Sequence, residues 1–148
     1  MKIEIPGKPI AKKRPRFARI GKFVKTYSDQ KTEEGRFQIM AMEQVKKTLS
    51  EPLQGPINLF CSYRMPIPKS WHKKRFQEAR DGRRMHTSKP DLDNLIKFSK
   101  DCLNSIAWND DSQIVMVSAE KFYSDNPATV LYICESQTIP THDHSQPS

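Results

Sequence analysis

The residues with chemistry to offer lie close together in the chain. They are Lys89-Pro90-Asp91-Leu92-Asp93-Asn94-Leu95-Ile96-Lys97, then Asp101, then Trp108-Asn109-Asp110-Asp111-Ser112-Gln113-Ile114. Carboxylates at this density are hard oxygen donors. They suit magnesium, which uses one or two carboxylates and keeps waters and a substrate phosphate as its other ligands. A metal held this way can polarise a phosphoryl oxygen and generate hydroxide from water. The candidate ligands are Asp91, Asp93 and an acid of the pair Asp110/Asp111. Lys97 follows Asp93 by four residues, so the two side chains can meet on one helical face. There it can orient the water or offset charge on the phosphate in the transition state. The four histidines, His72, His86, His142 and His144, are not spaced as a metal set, and no Cys-x-x-Cys pair occurs.

Each acid also has a plainer explanation. Asp91 can simply cap a helix. Asp93 and Lys97 can form an exposed ion pair worth under about 1 kcal/mol. Asp110-Asp111 can be a turn. Taken together, these leave unexplained why acids gather around one helix in a chain with a formal net charge of +8.

The elements that must position these residues follow from periodicity. Leu92, Leu95, Ile96, Leu103 and Ile106 recur at helical spacing and predict a helix from about Asp91 to Ile106, with Asp93, Lys97 and Lys100 on another face. A strand over roughly Gln113–Tyr123 follows. If it pairs near the helix start, Asp91, Asp93 and the Asp110/Asp111 pair converge. Upstream, Lys2–Gly7 reads as a short strand stopped by Pro-Gly, and residues 8–26 as a basic loop or hairpin with Gly21 at its turn. A helix from about Ser28 to Leu49 is capped by Ser28 or Asp29 and buries Phe37, Ala41, Val45 and Leu49. Residues 57–65 read as a strand, Trp71–Arg80 as a short helix, and Thr129–Glu135 as a last strand after the turn Ser124-Asp125-Asn126-Pro127. This order predicts an α+β fold: a single compact domain over residues 1–135, with a mixed β-sheet packed with two main α-helices. Residues 136–148 are polar, lack periodicity and are expected to be a disordered tail.

The chain has 148 residues, enough for one core without staples. Its N-terminus has a charged start but no apolar stretch behind it, so no signal peptide is expected, and no apolar run is long enough to span a bilayer. Cys61, Cys102 and Cys134 are expected to be reduced thiols acting as small core residues in a cytosolic protein. The positive charge is concentrated. Residues 1–25 carry nine Lys/Arg and one acid, and residues 60–90 carry nine Lys/Arg and two acids. Phe17, Phe23 and Trp71 are interleaved with them. This pattern suits a nucleic-acid backbone, where each neutralised phosphate releases counterions and aromatic rings can receive an unstacked base. The candidate contacts are Lys12, Lys13, Arg14, Arg16, Lys69, Lys73, Lys74, Arg83, Arg84 and Lys89.

The stretch KPDLDNLIKFSKDCLNSIAWNDDSQI resembles the signature of the RusA family of Holliday junction resolvases, endodeoxyribonucleases of bacteria and their prophages. The matching residues are Asp91, Asp93, Asn94, Leu95, Lys97, Asp101, Trp108, Asp110, Asp111, Gln113 and Ile114. GKPIAKKRPRF is similar, more loosely, to the opening of family members. The resemblance implies a homodimer in the bacterial or phage cytoplasm. It implies Mg2+-dependent phosphodiester hydrolysis, with Mn2+ able to substitute, and paired cuts across a four-way junction in DNA recombination and repair. It implies metal-binding acids at Asp91, Asp93 and Asp111, with Asp110 a neighbour able to contribute, and a catalytic Lys97. Phe17 or Trp71 could wedge at the crossover, core packing being the plainer role for either. Two readings compete: a non-catalytic nucleic-acid-binding protein of the same fold, and a metal nuclease acting on flaps or forks.

Overall fold

The computed structural model describes residues 1–13, 16–20, 23–27 and 30–136. Strand-forming and helix-forming patterns alternate along the chain, giving β1 (Lys2–Pro6), β2 (Arg16–Ile20), β3 (Phe23–Tyr27), α1 (Lys31–Lys46), β4 (Ile57–Pro66), α2 (Lys73–Arg80), α3 (Leu92–Leu103), β5 (Ile114–Ser124) and β6 (Ala128–Glu135). The basic N-terminal segment contains an antiparallel hairpin, β2–β3. Its expected turn at Gly21 lies outside the described residues, as do Ser28 and Asp29, the expected caps of α1, and residues 137–148.

The main sheet is mixed, with strand order β1-β6-β4-β5. β1 and β4 both pair antiparallel with β6, while β4 and β5 run parallel. Parallel neighbours need a long crossover, and here α2 and α3 supply it. Alternation in β4 sends Ile57, Leu59, Cys61, Tyr63 and Met65 to one face, where Ile3, Ile5, Leu131 and Ile133 join them. The stripes of α1 (Phe37, Ala41, Val45) and α3 (Leu95, Phe98, Cys102, Leu103) close over that face. Phe37 meets Phe98 edge-on at 5.7 Å between ring centroids. This is the expected mixed sheet with two main helices, α2 being a smaller third. The opposite sheet face carries Phe60 and Tyr132, both exposed.

Three expectations change. α1 ends at Lys46, so Leu49 lies beyond it and is only partly buried rather than part of its buried stripe. Cys61 and Cys102 are buried free thiols, but Cys134 is exposed, because it falls on the outward side of β6. The helix expected to reach Ile106 stops at Leu103: Ser105 adopts φ 70 and its N–H bonds the carbonyl of Trp108 at 2.7 Å, which folds the chain into a tight turn. No helix among the described residues is long and apolar enough to cross a membrane.

Candidate active site

α3 begins at a place the structure holds firmly. The backbone N–H of Lys12 donates to the carbonyl of Asn94 at 2.9 Å, and the Lys12 ammonium bridges Glu34 of α1 at 3.1 Å and Asp101 of α3 at 3.3 Å. Partial burial works to lower the Lys12 pKa, but the hydrogen bonds and charges of Glu34 and Asp101 outweigh it and hold the ammonium above its ordinary value. On the other side, Lys121 of β5 donates to the carbonyls of Ser88 and Pro90, each at 2.8 Å. These anchors fix the two sides of the helix start.

Asp91 is the N-cap residue of α3 by backbone geometry, yet its side chain makes no capping bond. Among the described residues, Asp93 accepts only the N–H of Asn94, at 3.0 Å. Asp91, Asp93 and Lys97 are all exposed, and Lys97 forms no ion pair with Asp93 among the described residues. The plainer uses of these groups as a cap and an ion pair are therefore not taken up. Two carboxylates and an ammonium stand open at one helix start.

The acidic pair has gone elsewhere. The turn at residues 104–108 and a bridge from Trp108 to Leu53 bring the chain to the start of β5, where Ile114 pairs with Ile57. That is the finishing end of α3. The helix has 12 residues, which at about 1.5 Å each separates its two ends by roughly 18 Å. Asp110 caps the 3-10 turn Asp111–Gln113, accepting from the hydroxyl and the N–H of Ser112. The Ser112 hydroxyl bond is the main reason its carboxyl titrates below the ordinary value. Asp111 accepts the indole N–H of the fully buried Trp108 at 2.8 Å. Gln113 clamps the segment from both sides: its Oε1 accepts from the N–H groups of Asn109 and Asp110, and its amide donates to the carbonyls of Leu53 and Gly55.

The expected convergence within one chain is thus corrected. β5 starts beside the end of α3, not beside its beginning, and among the described residues no three His, Cys, Asp or Glu side chains form a metal-binding group. Asp91 and Asp93 suit magnesium as hard oxygen donors that little else engages. Asp110 and Asp111 of the same chain do not complete their set.

The basic residues divide similarly. Lys69, Lys73, Lys74 and Lys89 are exposed. Lys12 is committed to its bridge, Lys13 lies 3.9 Å from Glu33, Arg83 pairs with Asp81 and Arg84 with Glu78. The side chains of Arg14, Arg16 and Phe17 lie outside the described residues. Trp71 packs edge-on to Tyr123 at 5.3 Å with Arg75 stacked on its face at 3.9 Å, so it staples the basic segment to β5. His86 is buried against Tyr123, and burial, helped by the charge of Lys121, lowers its pKa. A groove of about 560 Å3 runs up to Pro90, lined by Lys8, Lys12, Lys13, Glu33 and Arg36. Sequence reasoning missed Arg36 because it sits on a helix whose charges are mixed. It missed the roles of Lys121 and Gln113 because both depend on contacts distant in sequence.

Comparison with known proteins bears on the same residues. The chain is 33% identical over 139 residues, covering 91% of this chain and 96% of the relative, to an uncharacterized protein, YqaN, of Bacillus subtilis (strain 168). Residues 6–134 match the family described as Endodeoxyribonuclease RusA. That span runs from the end of β1 into β6 and takes in both ends of α3, so the whole framework around the acids is shared, and the chain belongs to the RusA endodeoxyribonuclease family.

Proposed function

We propose that the protein is a magnesium-dependent endodeoxyribonuclease that resolves four-way DNA junctions by paired phosphodiester hydrolysis, acting as a homodimer. The observation that carries this reading is the open face at the start of α3, where Asp91, Asp93 and Lys97 stand exposed and Asp91 spends no bond on capping. Asp91 and Asp93 are the residues to hold the metal. Magnesium, or manganese in its place, would there polarise a phosphate and lower the pKa of a bound water. Lys97 supplies positive charge beside the phosphate as negative charge builds on it. The groove leading to Pro90, with Lys8 and Arg36, offers a path for the strand backbone. Lys69, Lys73, Lys74 and Lys89 offer further phosphate contacts, which set position rather than base sequence. With the acidic pair roughly 18 Å away along α3, Asp111 can join Asp91 and Asp93 only from a second copy of the chain.

The test is cleavage of a synthetic four-way junction with magnesium and with chelator. Cutting into paired nicked duplexes is expected only with metal. Asp93→Asn is expected to lower the rate by on the order of a hundredfold or more, as does loss of a positioned electrostatic group, while junction binding persists. An Asp93→Asn variant that cuts at the wild-type rate removes the proposed site.

One observation favours a second reading, a non-catalytic DNA-binding protein: Asp110 and Asp111 are both engaged locally, in a cap and in the Trp108 bond. Binding in chelator with no cleavage of any branched, single-stranded or duplex DNA in magnesium or manganese would establish it. Cleavage confined to flaps or forks in the same panel would instead change the substrate and keep the chemistry.

A further inference from the structure

β5 grips the segment that leads into the candidate active site at two points. Side chains two residues apart along a strand leave it on the same side, and Lys121 and Tyr123 are such a pair on β5. The Tyr123 ring receives His86, with 4.7 Å between ring centroids. The Lys121 ammonium donates to the carbonyls of Ser88 and Pro90, each at 2.8 Å. Residues 86–90 are therefore laid along one side of the strand and held at both ends. The second grip is the one that reaches Asp91, because the Pro90 carbonyl belongs to the peptide that carries the Asp91 nitrogen. On its other side Asp91 is held through its own carbonyl, which accepts from the N–H groups of Asn94 at 3.2 Å and Leu95 at 3.3 Å. The Asp91 carboxylate thus projects from a backbone pinned in front and behind, while the side chain itself makes no capping bond.

A lysine makes this tie stronger than a neutral donor would, since bonds from a charged donor are about twice as strong as neutral ones. Both of its bonds go to carbonyls, and among the described residues it forms no ion pair. An uncompensated positive charge is therefore held one peptide away from Asp91. Burial and that charge together lower the pKa of His86, which keeps the neighbouring ring neutral at pH 7. We propose that Lys121 is a positioning residue of the metal site: through the Pro90 carbonyl it fixes the backbone of Asp91, and so sets where the Asp91 carboxylate meets a divalent cation. In this role it touches neither metal nor substrate. The inference rests on the proposed metal site and deepens it, by naming a residue outside the acidic cluster on which metal affinity depends.

Manganese uptake by the DNA-free protein tests this without any cleavage, read from the loss of the free-ion signal in electron paramagnetic resonance. Lys121→Met removes both bonds and the charge. It is expected to weaken Mn2+ binding by roughly 10–100-fold, as loss of a group that orients a metal ligand does, with an unchanged circular dichroism spectrum. Lys121→Arg, which keeps charged donors, should recover part of that loss. Arg80→Met serves as the structural comparison: Arg80 ties α2 to Asp125, in the turn after β5, at 3.1 Å, and its loss should leave Mn2+ binding as in the wild type. In an Asp91→Asn background, where affinity is already low, Lys121→Met should lower it no further, because it acts through that carboxylate. Wild-type affinity in a folded Lys121→Met overturns the inference and leaves the metal site standing. So does a loss that is additive with Asp91→Asn, or an equal loss in Arg80→Met. If Lys121→Met does not fold, Lys121→Gln takes its place and must show the same loss. A wild type that takes up no Mn2+ overturns the metal site itself, and this inference falls with it.

Discussion

Asp111 shows how one side chain can serve both structure and chemistry. Its carboxylate answers the indole N–H of Trp108, and Trp108 has no solvent exposure. Removing the acceptor leaves a buried donor unpaired, which costs about 1–3 kcal/mol. Replacing the carboxylate by an amide keeps an oxygen in the same place and removes only the charge. Asp111→Ala should therefore lower the thermal midpoint clearly, and Asp111→Asn should barely move it. If Asp111 is also a metal ligand, both should lose cutting to a similar degree, because both lack the anionic oxygen. Thermal unfolding and junction cleavage measured on the same two variants separate the roles. Equal stability losses for Ala and Asn would mean that the Trp108 bond depends on the charge. Full activity in Asp111→Asn would remove it from the ligand set.

At the scale of elements, α1 carries a residue that its helix does not need. Gly35 lies inside α1, where a Cβ added to its backbone would have nothing within 4 Å. Gly35→Ala should raise stability by about 0.5–1 kcal/mol, because alanine loses less conformational freedom on entering a helix. Urea denaturation checks this, and a lower midpoint would show that the position tolerates no side chain. Gly35 also shows what the sequence made legible. Phe37, Ala41 and Val45 marked the buried side of α1 despite that glycine, and the apolar spacing of Leu92, Leu95 and Leu103 marked α3, because helical period is a local property. The alternation in β4 was legible for the same reason. The direction and partner of β5 were not, since parallel pairing is settled by which long-range contacts fill the core. The error over the acidic pair came from this alone. Asp91 and Asp93 were placed correctly at the start of α3, and Asp110 and Asp111 at the start of a strand, but the end of α3 to which that strand returns depended on the turn at Ser105 and the burial of Trp108. A signal was present: Asn104-Ser105 follows directly after the last core leucine, and a turn there returns the chain to the finishing end of the helix.

The whole molecule then poses a problem of distance. One chain offers Asp91 and Asp93 at the start of α3 and Asp110 and Asp111 beyond its end, roughly 18 Å apart. β5 spans the same interval: Lys121 near its end holds the carbonyl of Pro90 beside the start of α3, and Ile114 begins it beside the acidic pair. If each site draws Asp93 from one copy and Asp111 from the other, two inactive variants can complement. Asp93→Asn and Asp111→Asn should each fail to cut alone. After mixing and subunit exchange, a heterodimer has one site carrying both substitutions and one carrying neither. With equal mixing, half the dimers are of this kind, so about one quarter of the sites regain full composition. Cutting should return near that fraction, and as single nicks rather than paired cuts, because each heterodimer holds one working site. A site built within one chain gives a different result, since every chain in the mixture carries one of the two substitutions and no intact site can form. Nicking of a labelled junction by the mixture, compared with each variant alone, decides between the two.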